Sequence, residues 1–535
     1  MCQLSVTCRS VEEGLLARPA RRSNCARVAR QRRGFLIVVV AVVIMLVSLA
    51  AYGFLSLMET EHRAALARGK QMQAAAVAAS GREYLAAILE LPPAKRPTED
   101  AGSVNGSAYG GLLVDGETDR RDDEEPQGHC AIVAPRTGET SGSGWRFGYE
   151  DESSKLHLGA LLEWDRRAPG SAAAALLNLP GMDASTANAI LDWIDADNSP
   201  RDQGAEDDYY KELDPPRLPR NGLPSTLQEL LMVRGVTRGK LFGRDIDANF
   251  AVDAWEEDLV SENSGASGEA GYPWARYLTL YSAERDETYD GQPRIRINQP
   301  DLGSLQRELS LTLDAASANF VVFYRQFGPT TATAEGTSAE SVAVDLSVPP
   351  QRMLGSLMEL IGVKVAVPTS DPQKPQIVAS PFVDEPGQMR DYLPRLMDRV
   401  TIRSGAPIGG RVNINLAERA VLEGLPGIDE SLAERIVSAR TQSADADRSR
   451  QTTGWLLSEG LVTREQFRAL EPWVTTRGDV GSAQILGYYG PQGPVARFET
   501  VLDGTERPAR QLYYRDLRRL GSGILVDLID ATETQ

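Results

Sequence analysis

Hydrophobic positions are spread unevenly along the 535 residues. Phe35 to Leu57 reads FLIVVVAVVIMLVSLAAYGFLSL, twenty-three residues without a charge. As a helix rising 1.5 Å per residue it reaches roughly 35 Å, enough to cross a bilayer. From Glu59 to Leu91 the chain turns to Ala, Gln, Glu and Arg, with Leu66, Val77, Leu85 and Ile88 as an apolar stripe. That spacing predicts one long helix, membrane-buried first and amphipathic later. Strand-like patterning is confined to two distant stretches. Gly144–Leu158 predicts two short strands around a polar Asp151–Ser154 turn, and Ile485–Tyr489, Val495–Leu502 and Gln511–Asp516 predict three more. Together they predict a small antiparallel sheet packed on the N-terminal helix. The mostly helical block between them is then an insertion.

The insertion contains a weak internal repeat. Leu176 to Met182 (LLNLPGM) with Ala189–Ile194 forms one copy, and Asn413–Leu416 with Leu425–Ile428 (LPGI) and Ala433–Val437 forms a second. Leu227 to Val236 (LQELLMVRGV) matches the first helix and turn, and Arg296–Pro300 echoes the lead-in. These are helix-hairpin-helix signatures, with turns at Pro180, Gly181, Gly235, Pro426 and Gly427. Glycine in an apolar-Gly-apolar turn permits a close reversal, and the next helix lays its aliphatic face back on the first. Such hairpins either bind DNA through helix N-termini or serve only for packing. Asp183, Asp192, Asp195 and Asp197 flank the first copy, and Glu423, Asp429, Glu430 and Glu434 the second. With no basic patch to neutralise phosphate, the packing role is expected and nucleic acid is not. Elsewhere Asn298–Gln326, Met353–Val363 and Tyr392–Val400 read as helical. Pro92–Gln127 reads as a loosely ordered connection, and Glu257–Gly271, Pro329–Ser341 and Pro368–Pro375 read as linkers or loops.

Charge sharpens the division between the ends. Residues 1–34 hold eight arginines against Glu12 and Glu13; with that +6 set aside from a net −17, the remainder carries −23. A basic leader before the apolar helix predicts a cytoplasmic N-terminus and an exported body. A body so acidic disfavours phosphate backbones and attracts cations. Cys2, Cys8 and Cys25 lie in the leader, leaving Cys130 alone, so the fold depends on no intrachain disulfide. The three histidines (His62, His129, His157) form no ligand pair. Zinc and Cys/His catalysis lack raw material, and a structural subunit, not an enzyme, is expected.

Two motifs carry a family resemblance. Arg32-Arg33-Gly34-Phe35 places a basic pair and a glycine directly before the apolar run. The segment resembles the type IV pilins and pseudopilins, whose precursors are cut after such a glycine, here between Gly34 and Phe35. Most members carry glutamate as the fifth mature residue; this chain has Val39. In a filament that glutamate neutralises the α-amino group of a neighbouring subunit in an apolar bundle. A subunit with no neighbour above it has no such amine to neutralise, and in the family the exception is the K class of type II secretion. The second motif runs Asp192-Trp-Ile-Asp195-Ala-Asp197-Asn-Ser-Pro-Arg201, then Gly204-Ala-Glu206-Asp207-Asp208-Tyr209-Tyr210, then Pro219-Arg220-Asn221-Gly222. It is similar to the K-class pseudopilins, element by element and in order.

The second motif packs oxygen donors into a loop broken by Pro and Gly, which suits a hard cation such as Ca²⁺, although its spacing is not that of an EF-hand. Asp195, Asp197, Asp202, Glu206, Asp207 and Asp208 are the candidate ligands; the alternative is a solvated acidic loop in which Arg201 and Arg220 form ion pairs. Members of the class are associated with bound calcium. The resemblance implies an α+β fold: a long transmembrane and amphipathic helix on a small antiparallel sheet (the pilin-like core), with a large α-helical insertion of helix-hairpin-helix (SAM-like) units. The expected divisions are a leader (1–34), a transmembrane helix (35–57), its periplasmic continuation (58–91) and a β core (92–158 with 480–520). Two hairpin regions (159–256 and 408–478) then flank a mixed one (272–400). The implied role is a minor pseudopilin of type II secretion in the bacterial inner membrane. It is cut by a prepilin peptidase, joins I- and J-class minor pseudopilins, and starts and caps the pseudopilus that exports folded proteins. The competing role is a membrane-anchored, exported DNA-binding protein of the competence type.

Overall fold

The structure, a computed structural model, describes residues 32–97, 109, 112–114, 128–136, 144–256, 273–371, 374–403, 405–442, 448–489, 493–521 and 523–524. Residues 1–31 of the expected leader, and the expected linker at Glu257–Gly271, lie outside the described residues. The chain divides into two compact units, Met1–Gly69 and Lys70–Gln535.

The first unit contributes the start of one unbroken helix, α1 (Arg32–Glu90). It is the one helix among the described residues long and apolar enough to cross a membrane. Its side chains from Phe35 through Leu57 are exposed, as is Leu66 of the expected stripe.

In the second unit, the C-terminal part of α1 lies on a seven-stranded sheet. The strands are β1 (Leu112–Val114), β2 (Gly128–Pro135), β3 (Trp145–Phe147), β4 (Glu150–Asp151), β5 (Val480–Tyr488), β6 (Ala496–Asp503) and β7 (Arg510–Asp516). Their order is β1-β2-β5-β6-β7, with β3 on β2 and β4 on β5, and every pairing is antiparallel. The expected strands therefore pair in one sheet across the insertion, apart from Leu156–His157, which pairs in parallel with Leu278–Thr279 instead. Sequence patterning missed β2, since Gly128–Pro135 is buried throughout its centre and shows no alternation to read. β1 likewise falls inside the connection expected to be loose. Residues 92–97, with a 3₁₀ turn at Pro93–Lys95, and the buried Tyr109 are its other described parts, and the remainder lies outside the described residues.

Small residues let α1 approach the sheet. Ala74, Ala78, Leu85, Ile88 and Leu89 are buried against Ile132, Ile485, Leu486 and Leu502, and Val77 is buried beside Gly128 of β2. A Cβ on Gly487 would overlap the Ala74 carbonyl oxygen and the Ala78 nitrogen, and one on Gly81 would sit 2.9 Å from Ile485 Cγ2. The last turn of α1 holds no basic residue of its own for its free carbonyls. Two arginines outside the helix supply the donors, Arg96 just beyond its end and Arg285 from the insertion. Arg285 Nη2 donates to Leu89 O (3.2 Å) and Leu91 O (2.9 Å), and Arg96 Nη2 to Leu89 O (2.9 Å). Both guanidinium groups pair with the buried Asp479.

The insertion has one continuous apolar core running from Leu156 to Val474. Its principal helices are α2 (Leu158–Arg167), α3 (Ser171–Leu177), α4 (Ala184–Ile194), α5 (Leu302–Thr312), α6 (Ala315–Phe327), α7 (Pro386–Arg399) and α8 (Glu430–Gln442). Two expectations fail here. Met353–Val363 forms only a 3₁₀ turn at Leu357–Leu360. Gly362, at φ +67°, ends it, and the alternating Lys364–Val367 continues as a strand. Pro329–Ser341 is no linker: Pro329–Thr330 and Thr337–Ser338 are the edges of a four-stranded sheet built on Lys364–Val367 and Gln376–Ala379. A buried Lys155 ties the insertion to the sheet, with Glu150 Oε2 at 2.6 Å and Glu152 Oε1 at 2.9 Å from its Nζ. Glu152 also accepts from Ser482 Oγ (2.6 Å) on β5 and from the Thr279 hydroxyl.

Candidate metal site on the first hairpin

Each turn glycine of the repeat adopts the left-handed conformation that spares it a Cβ clash: φ is +66° at Gly181, +81° at Gly235 and +92° at Gly427. Helices α3 and α4 flank Pro180-Gly181; Arg419–Glu423 and α8 flank Pro426-Gly427; a 3₁₀ turn at Leu227–Met232 and a short helix at Arg238–Phe242 flank Gly235. The three turns pack on one another and on the core. Asn178 Nδ2 donates to Glu423 O (2.9 Å), a Cβ on Gly424 would meet Ala175, and one on Gly235 would overlap Thr186 Oγ1. Trp274 Nε1 donates to Pro180 O at 2.9 Å. The turn glycines Gly181, Gly235 and Gly427 themselves stay exposed.

Helix α4 begins with Asp183, whose Oδ1 accepts from Thr186 N (2.9 Å), and ends at Ile194 with Asp195 as C-cap. Its last turn carries Asp192, fully buried, three residues before Asp195. The chain leaves, reverses at Gln203 (φ +56°) and returns, so that Ala205 N donates to Asp192 Oδ2 at 2.8 Å. Gly204 passes so close that a Cβ there would overlap the same oxygen. The return brings Glu206 into the group: oxygens of Asp192, Asp195 and Glu206 all lie within 4.8 Å of one another. A T-shaped contact of Trp193 with Tyr210 (5.2 Å between centroids) walls the site on its apolar side.

One cation already serves part of this group. Arg201 Nη1 donates to Asp192 Oδ1 at 2.8 Å and also reaches Asp195 Oδ2. Arg220 pairs with Glu229 (2.9 Å), so both expected arginine ion pairs exist, though Arg220 engages a carboxylate outside the cluster. Glu206 is left over. It is 4% exposed, yet neither of its carboxylate oxygens has a hydrogen-bond partner, and Asp195 Oδ1 has none either. Burial, then the charges of Asp192, Asp195, Asp197 and Asp207, push the Glu206 carboxyl up to about 7. Three convergent carboxylates against one guanidinium, with orphaned buried oxygens, fit a hard oxygen-liganded cation.

Of the six expected ligands, only Asp195 and Glu206 join the cluster. Asp197, Asp202 and Asp208 are exposed, and Asp207 pairs with Lys211. Asp192, which the sequence reading left out of the candidates, joins the cluster instead; its three-residue spacing from Asp195 at a helix end is legible in the sequence. A second carboxylate group, Asp245, Asp247 and Glu256, follows the third turn. Gly34, Phe35 and Val39 all lie within α1.

Residues 154–241, which hold the first and third turns and the carboxylate cluster, match the family model for protein K of the type II secretion system. A curated Escherichia coli (strain K12) protein named "Putative type II secretion system protein K" is 37% identical over 73 residues, 13% of this chain. The matched stretch spans 22% of that relative's length. Among solved structures, the GspK-GspI-GspJ complex from the type 2 secretion system of enterotoxigenic Escherichia coli is similar at a TM-score of 0.36 and 11% identity. That similarity covers 84% of this chain and 97% of the matched one.

Proposed function

We propose that this chain is a minor pseudopilin of the type II secretion machinery, cut after Gly34 by a prepilin peptidase, which initiates and caps the pseudopilus for export of folded proteins. One observation carries the reading: a protein K domain at residues 154–241 sits in a chain whose membrane-length helix runs unbroken onto an antiparallel sheet. The basic leader puts the N-terminus in the cytoplasm and the body in the periplasm. The inserted body is too bulky to recur at every position of a narrow filament, and Val39 offers no carboxylate to a subunit above; both favour the tip. Its partners are the I- and J-class minor pseudopilins. Leu66 and Met72, 53% and 74% exposed, supply apolar surface for their helices, whereas Val77, Leu85 and Ile88 are spent on the chain's own sheet. The helix-hairpin-helix units act as packing modules, since residues beside their turns pack on one another and acidic side chains surround them.

Ca²⁺ is the proposed cation for Asp192, Asp195 and Glu206, given its preference for six to eight oxygen ligands. It would hold the return loop to the end of α4. Mass spectrometry of the mature N-terminus, with capture of the I- and J-class subunits on the tagged full-length chain, tests the proposal. A chain beginning at Phe35 with both partners supports it. A different N-terminus without those partners, or salt-sensitive DNA binding, would sink it.

A further inference from the structure

At the C-terminal end of α7 a cavity of about 160 Å³ opens among segments that lie far apart in sequence. That is well above the ~15 Å³ that admits a single water. Five of its lining residues are arginines: Arg294, Arg403, Arg411, Arg468 and Arg477. Only two carboxylates share the wall, Glu284 and Glu471. The wall thus inverts the charge of the chain around it, in which acidic residues outnumber basic ones. None of these residues belongs to the protein K match or to a hairpin turn.

The carboxylates within reach do not use up the guanidinium groups. Glu284 takes Arg411 (3.1 Å) and, at 3.7 Å, Arg477. From outside the cavity Asp286 pairs with Arg294 (3.3 Å) and Glu359 with Arg468 (2.7 Å). Glu471 accepts from the Ser356 hydroxyl, and burial raises its carboxyl, which weakens the second negative charge on the wall. Backbone carbonyls of Asp398, Glu471 and Glu287 take one donor each from Arg294, Arg411 and Arg477. Arg403 is left with no side-chain hydrogen bond or ion pair among the described residues, and Nη2 of Arg294 and Nη1 of Arg477 are likewise unused. The cationic groups crowd one another instead. Burial, then the charge of Arg477, pushes Arg294 down to about 10, and burial with Arg411 lowers Arg403. Thr452, 6% exposed, lines the same cavity with a hydroxyl oxygen that has no hydrogen-bond partner. Unused guanidinium donors beside an orphaned hydroxyl are what an anion with several oxygens would complete.

We infer that this cavity binds a small oxyanion, a phosphate or a carboxylate, held by Arg403, Arg294 and Arg477 with the Thr452 hydroxyl as a neutral donor. The planar fork of arginine matches either oxygen geometry. Arg403 and Arg468 are exposed and mark the way in, whereas Arg477 is buried and Arg294 half-buried. The site stands whether or not the Asp192 cluster holds a metal. A bound anion would tie Arg294 and Arg403 to Arg477, just before β5, and so brace the insertion where it returns to the long sheet.

The test titrates inorganic phosphate and, separately, succinate into the detergent-solubilised full chain by isothermal calorimetry. Metals are first stripped with chelator and the chelator is dialysed away; sodium chloride at matched ionic strength is the blank, and near-ultraviolet circular dichroism reports the fold. Wild type should bind at least one of the two anions saturably, one per chain, and the one preferred tells a tetrahedral ligand from a carboxylate. R403Q breaks no side-chain contact of the free protein and should weaken binding by about tenfold or more, the worth of one charge-assisted hydrogen bond. R403E should abolish it. R166Q, at an exposed arginine outside the cavity, should bind as the wild type does. Heats no greater than the chloride blank for both anions overturn the inference, as does wild-type affinity in folded R403Q or R403E.

Discussion

Replacing Glu206 by glutamine removes the charge and keeps the shape of the side chain left without partners in the Asp192 cluster. In the metal-free protein, burial and four neighbouring carboxylates raise its carboxyl from 4.5 to about 7. A group held protonated in the folded state but not in the unfolded one destabilises the fold as pH rises between those two values. Two and a half pH units at about 1.4 kcal/mol each set the loss at about 3 kcal/mol, complete above pH 7 and absent below pH 4.5. A bound cation replaces repulsion by attraction, lowers the carboxyl again and abolishes the loss. Urea unfolding of the wild type at pH 5, 6, 7 and 8 in chelator should therefore show a decline that Ca²⁺ removes. In E206Q the decline should be shallower by about 3 kcal/mol, and Ca²⁺ bound at this cluster should no longer restore stability. Asp151 and Asp245, each pushed up to about 6 mainly by burial, add slopes of their own. They do so in both proteins, so the difference between the two isolates Glu206. Identical pH slopes in chelator would refute the reasoning.

Two further outcomes follow from the junction of α1 with the sheet. Gly487→Ala sets a methyl against backbone atoms of Ala74 and Ala78, which cannot swing aside, so it should cost about 1–3 kcal/mol in thermal or urea unfolding. Gly53→Ala, with nothing within 4 Å, is the control that should change nothing in the same measurement. Asp479→Asn strips Arg96 and Arg285 of their shared buried carboxylate and should cost about 3–5 kcal/mol at pH 7. Burial alone would raise the Asp479 carboxyl, but the two arginines and the Arg285 amide bring it below 3.8. Its contribution is thus present above that value and lost as pH falls through the folded one. The gap between wild type and D479N should narrow in urea melts at pH 3; a constant gap would contradict the ion-pair account.

What could be read from the sequence was what depends on local pattern. The membrane-length helix is a property of twenty-three consecutive residues, and the turn glycines announce themselves by their neighbours. β5, β6 and β7 were visible because Gly-rich and Asp-Gly turns bracket them. β2 was invisible because a strand buried on both faces has no alternation. The Met353–Val363 helix failed because apolar spacing there is short and Gly362 breaks it. The cluster was half legible. The motif pointed to the right loop, but composition weighed Asp197, Asp202 and Asp208 as heavily as Glu206. Only the fold sends those three outward, pairs Asp207 with Lys211 and draws Asp192 inward.

The sheet that receives α1 is assembled from two ends of the chain. β1 to β4 precede the insertion and β5 to β7 follow it, with residues 152–479 between. During synthesis the helix and the first strands emerge more than three hundred residues before their central partner. Contacts that distant form late, whereas the hairpins of the insertion close over short loops. The insertion is thus the natural first folding unit, and its finished surface, through Lys155 and Glu152, brings β4 and β5 together. Until then Ala74 and Ala78 lack Gly487, and Gly81 has Cys130 of β2 but not Ile485 beside it. A chain stopped before Val480 would lack the central strand, so full docking of the helix reports that synthesis has passed β5.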